Sequence, residues 1–133
     1  MVKRCPAWPS SPRPPTRLVT RGLVREFHEH VGSTVRSTPS VTVEGARRRC
    51  DFVYEEAREL REAIESGDVV AAADALADLA YVVYGSALHF GIDLDAVLAE
   101  VHRSNMTKSP AGDGKAIKGS SYEPPDLAHV LGT

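Results

Sequence analysis

EEARELREAIESGDVVAAADALADLAYVVYG, residues Glu55–Gly85, decides the fold class. Two runs of helical character meet at Ser66-Gly67-Asp68. Glycine can adopt the left-handed conformation that ends a helix, and the Asp68 carboxylate can accept from the free amides opening the next one. Drawn as a wheel about Leu60, the first run gathers Val53, Ala57, Leu60 and Ile64 within about 60°. Arg58, Arg61 and Glu65 point outward, as a solvated face requires. Glu56 departs from this order, because it falls about 40° from Leu60, inside the apolar stripe. Glu59 sits at the edge of that stripe and Glu55 one step further round.

The second run is apolar on every side, from Val69 and Val70 through Leu76 and Leu79 to Val82 and Val83. A helix of that kind is expected to be buried. Asp74 and Asp78 nevertheless stand on it four residues apart, on one face with Tyr81 and Gly85. Two ionised carboxylates in a buried helix cost several kcal/mol each without a partner, and no Lys or Arg lies between Arg61 and His89. A divalent cation answers the problem, and carboxylates on facing helices are how bundle metal sites are built. All-oxygen ligands select a hard ion, Mg²⁺ or Mn²⁺, over Zn²⁺.

Working outward, Leu23, Val24, Phe27 and Val31 predict a helix from Thr20 to Val31 stopped by Gly32. Residues 33–43 are a β-branched, serine-rich loop. The central helices are expected over 44–65 and 69–90, and Asp93 caps a fourth running to Asn105. The expected architecture is therefore an all-α four-helix bundle over residues 18–127, with no convincing strand. Residues 1–17 carry Pro6, Pro9, Pro12, Pro14 and Pro15 and predict a disordered tail. Residues 128–133 are expected to be a flexible end.

A chain of 133 residues holds one core. Its net charge of −2 gives no general attraction to nucleic acid or to an anionic membrane, and no basic recognition helix is present. No apolar run approaches the ~20 residues of a membrane span. Cys5 and Cys50 form no disulfide framework, which points to the reducing cytoplasm.

Along the fourth helix Leu94, Val97, Leu98 and Val101 form the buried stripe, which then runs into the polar residues Asn105 and Lys108. Lys115, Lys118 and Tyr122 follow in a glycine-containing segment. Lysines set opposite a carboxylate-bound Mg²⁺ would neutralise a polyphosphate from its other side.

These segments together resemble the all-α nucleoside triphosphate pyrophosphohydrolases. That MazG-like superfamily includes dimeric dUTPases and phosphoribosyl-ATP pyrophosphohydrolase. The resemblance spans roughly residues 20–127. It rests on EEARE at Glu55–Glu59, DALADLAYVVYG at Asp74–Gly85, and EVHRSNMTK at Glu100–Lys108 followed by the KG…Y…PPD segment. The superfamily pattern is EExxE followed by ExxD. Glu55, Glu56, Glu59 and Asp78 match it. Ala75 replaces the remaining glutamate, with Asp74 as the nearby substitute.

The resemblance implies a homodimer or homotetramer that completes the bundle and releases nucleoside monophosphate and pyrophosphate from a nucleoside triphosphate. Glu56, Glu59, Asp74 and Asp78 are the expected Mg²⁺ ligands, and Glu55 the expected base toward the attacking water. Asn105, Lys108 and Lys118 are expected on phosphate or sugar oxygens, with Phe27 or Tyr122 against the nucleobase. Two alternatives stay open: a phosphoribosyl-ATP-type enzyme of the same chemistry, and a non-catalytic bundle that binds nucleotide or metal.

Overall fold

A computed structural model describes residues 20–133. The segment 1–17, with Cys5 and Trp8, lies outside the described residues. Helix α1 spans Thr20–Val31, α2 Val43–Ser66, α3 Val69–Phe90 and α4 Leu94–Asn105. These bounds follow the local signals closely. The Asp68 carboxylate accepts from the amides of Val70 and Ala71 at 2.9 and 3.0 Å, and the Asp93 carboxylate accepts from Ala96 at 3.2 Å. Gly67 and Gly91 take φ of 72° and 70°, a region that other residues enter only at a cost.

The two-residue connection at Gly67-Asp68 turns α3 back along α2 as a helical hairpin. Helix α1 packs on α3 through Phe27 and Tyr81, whose rings meet edge-on at 5.6 Å. Val24 of α1 is fully enclosed. The loop 32–42 is fastened to the end of α3, where the Arg36 and Ser40 amides donate to the carbonyls of Leu88 and Phe90, each at 2.9 Å. The Arg36 guanidinium adds a bond to the His89 carbonyl. Gly91 is indispensable to this join, since a Cβ there would stand 2.3 Å from the Thr38 carbonyl oxygen.

The fourth helix is tied on by polar contacts. Tyr84 donates to Asp95 at 2.9 Å, and Arg21 of α1 reaches Asp93 at 2.9 Å. Beyond it the chain departs from the expectation of no strand. Ser109–Pro110 (β1) and Ala116–Ile117 (β2) form a minimal antiparallel hairpin, with Ser109 opposite Ile117. Two-residue strands are too short to show any alternation. A fifth helix, α5, Leu127–Leu131, is capped by Asp126, which accepts from His129, and closes at Gly132. It occupies the stretch expected to be flexible because α4 holds it in place. Ser104 is buried and donates to the Glu123 carbonyl at 2.7 Å. Arg103 bridges Glu100, Glu123 and the Pro124 carbonyl.

A larger correction concerns α3. Within this chain it is not buried all round: Val69, Val70 and Leu76 are 78%, 76% and 55% exposed, and Asp74 and Asp78 are exposed. Among the described residues α1 and α2 cover one side of α3 only, so burial reaches just Ala75, Gly85, Ala87 and Leu88. By length and mean hydropathy α3 is apolar enough to cross a membrane. Two aspartates near its middle make that costly, and its packing on α1 and α2 gives it a place in a helical domain.

Candidate active site

Glu56 is turned toward the inside of the domain, as the wheel placed it. Its Oε2 has no access to solvent and no hydrogen-bond partner among the described residues. Its carboxyl is held above the ordinary value, first by burial, then by the charges of Glu59, Asp78, Glu55 and Asp74. Four more carboxylates from α2 and α3 are thus near enough to be felt at one buried oxygen. An orphaned acceptor among like charges is what a cation relieves. Among the described residues no three acidic, His or Cys side chains converge tightly enough to form a ready-made cage. Glu59, Asp74 and Asp78 are solvent-facing, so these donors suit a hydrated ion completed by substrate oxygens, the habit of Mg²⁺.

Glu55 and Glu56 form one end of a cleft of about 930 Å³ between α1, α2, the loop 32–42 and α3. Its other end is basic. Arg36 enters from the loop and Arg48 and Arg49 from the first turns of α2, while His28 and His89 line its wall. Arg49 crosses to α3, donating to Ser86 Oγ and to the Val82 carbonyl, both at 3.1 Å. Arg48 and Arg49 lie over the Phe52 ring at 5.5 and 5.2 Å. His28 is buried, with Nδ1 3.5 Å from the Thr34 carbonyl, and burial lowers its pKa. Burial also lowers that of His89, helped by the charges of Arg36 and Arg49. Both imidazoles therefore take up a proton less readily than a free histidine. Gly85 makes room for the arrangement, since a Cβ there would lie 2.5 Å from Arg49 and 2.7 Å from His28.

None of these five basic side chains is evident in the sequence as a site. Arg48 and Arg49 belong to an ordinary-looking basic run. A usable signal did exist: Arg49 precedes Glu56 by seven residues, close to two full turns, which puts both on one helix face.

The lysines singled out from the sequence are elsewhere in this chain. Lys108 Nζ donates to Asn105 Oδ1 at 2.7 Å, and Lys118 lies over the Tyr122 ring at 5.0 Å. None of Asn105, Lys108, Lys118 and Tyr122 lines the cleft, whereas Phe27 and Tyr81 do.

A helical domain with a buried, unpartnered carboxylate oxygen on α2, further carboxylates exposed on α2 and α3, and a basic cleft beside them has the form of an all-α nucleotide pyrophosphohydrolase. Comparison with family models agrees: phosphoribosyl-ATP pyrophosphohydrolase matches residues 24–105, and the chain belongs to that family, within the MazG-like superfamily. It is thus a hydrolase of phosphoric anhydride bonds. The match runs from α1 to the end of α4 and stops before Lys108, Lys118 and Tyr122. Comparison with curated proteins gave no match.

Proposed function

We propose that the chain hydrolyses a nucleotide to the nucleoside monophosphate and pyrophosphate, with Glu56, Glu59, Asp74 and Asp78 holding one or two Mg²⁺ ions. The observation that carries this reading is the Glu56 oxygen, buried, unpartnered and surrounded by the charges of four other carboxylates. Bound Mg²⁺ would neutralise phosphate charge and make a coordinated water more acidic. Glu55, exposed at the mouth of the cleft, takes the proton of the attacking water. A bond forms between that water oxygen and the α-phosphorus. The bond from phosphorus to the bridging oxygen breaks, and pyrophosphate leaves with the electron pair. Phe27 and Tyr81 offer an aromatic wall for the base.

Phosphoribosyl-ATP is the favoured substrate over nucleoside triphosphates at large, supported by the family match. The test is pyrophosphate release over a panel of phosphoribosyl-ATP, ATP, dUTP and dCTP, with Mg²⁺ or Mn²⁺ varied. Metal-dependent release that Glu56→Gln abolishes supports the reading. Turnover in EDTA, or full activity in Glu56→Gln, overturns it.

A homo-oligomer belongs to the same proposal. Val69, Ala73, Leu76, Ala80 and Val83 are all exposed and recur at alternating intervals of four and three, a seam that suits a partner helix. Covering it with a second copy would also bring Asp74 and Asp78 out of bulk water. An exposed free thiol at Cys50 is consistent with the cytoplasm.

A further inference from the structure

We infer that Arg49 is a positioning residue for the carboxylate site: its two hydrogen bonds to α3 fix the roll of α2 about its own axis and so hold the Glu56 carboxylate inward before any cation is bound. The inference deepens the proposed reaction and rests on reading Glu56 as a metal ligand.

Glu56 stands where an acid does not stay unaided. Its Oε2 is shut off from solvent and receives no hydrogen bond among the described residues. Leaving a buried acceptor unpaired costs about 1–3 kcal/mol, and more for a charged group. Glu55 and Glu59 on the same helix are exposed, so a modest roll of α2 would bring Glu56 to water as well. Packing alone resists such a roll weakly. The buried and half-buried residues nearest the connection are largely alanines, Ala63 on α2 and Ala71, Ala72 and Ala75 on α3. Apolar burial has no direction, and a surface of methyl groups lets a neighbouring helix turn without a clash.

Arg49 supplies the direction that packing lacks. It precedes Glu56 by seven residues, so the two project within about 20° of each other from α2. Its Nε donates to Ser86 Oγ and its Nη2 to the Val82 carbonyl, both at 3.1 Å. Ser86 Oγ itself donates to the Val82 carbonyl at 2.7 Å, so both acceptors are set on α3 without the arginine. A planar fork held at two points does not swivel. Gly85 provides its seat, because a Cβ there would lie 2.5 Å from Nη2. The guanidinium is half-buried and has no ion pair among the described residues, a placement that packing alone would not require.

The levels along the hairpin agree. Arg49 lies eighteen residues before Gly67 and Ser86 eighteen after Asp68, while Glu56 lies eleven before and Asp78 ten after. The connection holds one end of the pair and Arg49 the other, with the level of Glu56 and Asp78 between them. One turn beyond Arg49, His89 abuts Gly45, where a Cβ would overlap its ring, but His89 Nε2 makes no hydrogen bond. That contact spaces the two helices and leaves their roll to Arg49.

The test is carboxyl footprinting of the full chain in EDTA, with a water-soluble carbodiimide and an amine, each glutamate being read by mass spectrometry. In the wild type Glu56 should label more slowly than Glu59 and Glu62. Arg49→Met keeps the length of the side chain and loses both bonds. It should raise Glu56 labelling severalfold, to the level of Glu59, with Glu59, Glu62 and helical content unchanged. Arg49→Lys, a single point in place of a fork, should fall between. Arg61→Met, which loses only an exposed pair with Glu65, should match the wild type. Mn²⁺ titrated into Arg49→Met should bind about tenfold more weakly than to the wild type, the equivalent of one lost hydrogen bond. The inference is overturned if Glu56 labels as fast as Glu59 in the wild type, or stays protected in Arg49→Met. It is equally overturned if all three glutamates rise together while helical content is kept. If Arg49→Met does not fold, Ser86→Ala removes one acceptor and decides by the same criterion: a rise confined to Glu56 supports the inference, and no rise overturns it. A wild type that binds no Mn²⁺ would instead remove the proposed metal site, and the labelling pattern would still decide whether Arg49 holds Glu56.

Discussion

Gly91→Ala and Gly67→Ala impose the same backbone penalty in different surroundings, and their difference measures the join that carries Arg36 into the cleft. Both glycines close a helix, at φ of 70° and 72°. An alanine in that region costs about 1–2 kcal/mol. At Gly67 the added Cβ meets nothing within 4 Å, so that cost is the whole expectation. At Gly91 it would stand 2.3 Å from the Thr38 carbonyl oxygen and 2.6 Å from its carbon, backbone atoms that cannot rotate away. The loop must lift, which strains the Arg36–Leu88 and Ser40–Phe90 bonds. At about 0.5–1.5 kcal/mol each, losing both adds roughly 1–3 kcal/mol. The expected loss is thus about 2–5 kcal/mol for Gly91→Ala against about 1–2 for Gly67→Ala. At about 4 °C per kcal/mol for a domain of this size, Gly91→Ala should melt roughly 4–12 °C below Gly67→Ala. Thermal denaturation followed by circular dichroism reads this directly. Equal melting temperatures for the two variants would show that the loop does not rest on Gly91.

Two further expectations concern the rim of the domain. The Glu100 carboxyl is held down to about 2 from its ordinary 4.5, first by the Arg103 guanidinium and then by the Asp126 amide. A depressed acid contributes stability that is complete above about 4.5 and is lost as pH falls from there toward about 2. Amide exchange in residues 123–131 should therefore accelerate across that window, and Glu100→Gln should show the acceleration already at neutral pH; unchanged exchange in the variant would contradict the clamp. Leu76→Lys places a charge in the middle of the exposed α3 seam and should shift sedimentation from an oligomer to a monomer without loss of helix, whereas an unchanged sedimentation coefficient would show that the seam is not the interface.

The helix ends were legible because their causes are local. Gly67, Asp68, Gly91 and Asp93 act within a turn of where they stand, and they mark the observed bounds to within a residue. The inward direction of Glu56 was legible for a related reason, since four residues of helix fix its angle to Leu60 whatever the helix packs against. Burial was less so. The all-round apolar character of α3 is a correct statement about its side chains, but it does not say what covers Val69, Leu76 or Val83, and among the described residues nothing does. The basic cleft was the least legible part. Arg36 reaches it only because a loop folds back on the end of α3, a contact between residues more than fifty positions apart. Arg48 and Arg49 look like surface arginines until that loop and His28 close around them. Lys108 and Lys118 make local contacts in this chain, with Asn105 and Tyr122, and neither lines the cleft.

The central claim is that the acids around Glu56 hold a divalent cation, and the most direct test is the melting temperature of wild type and Asp78→Asn, each in EDTA and in millimolar Mn²⁺. An ion that binds only the folded state stabilises it by mass action, by about 2.7 kcal/mol at a hundredfold excess over the dissociation constant. The wild type should therefore rise by roughly 10 °C on adding metal. Asp78→Asn should melt above the wild type in EDTA, because one of the charges bearing on Glu56 has been removed, and it should lose most of the rise in Mn²⁺. A wild-type protein indifferent to metal, or an Asp78→Asn variant that responds as strongly as the wild type, would contradict the account.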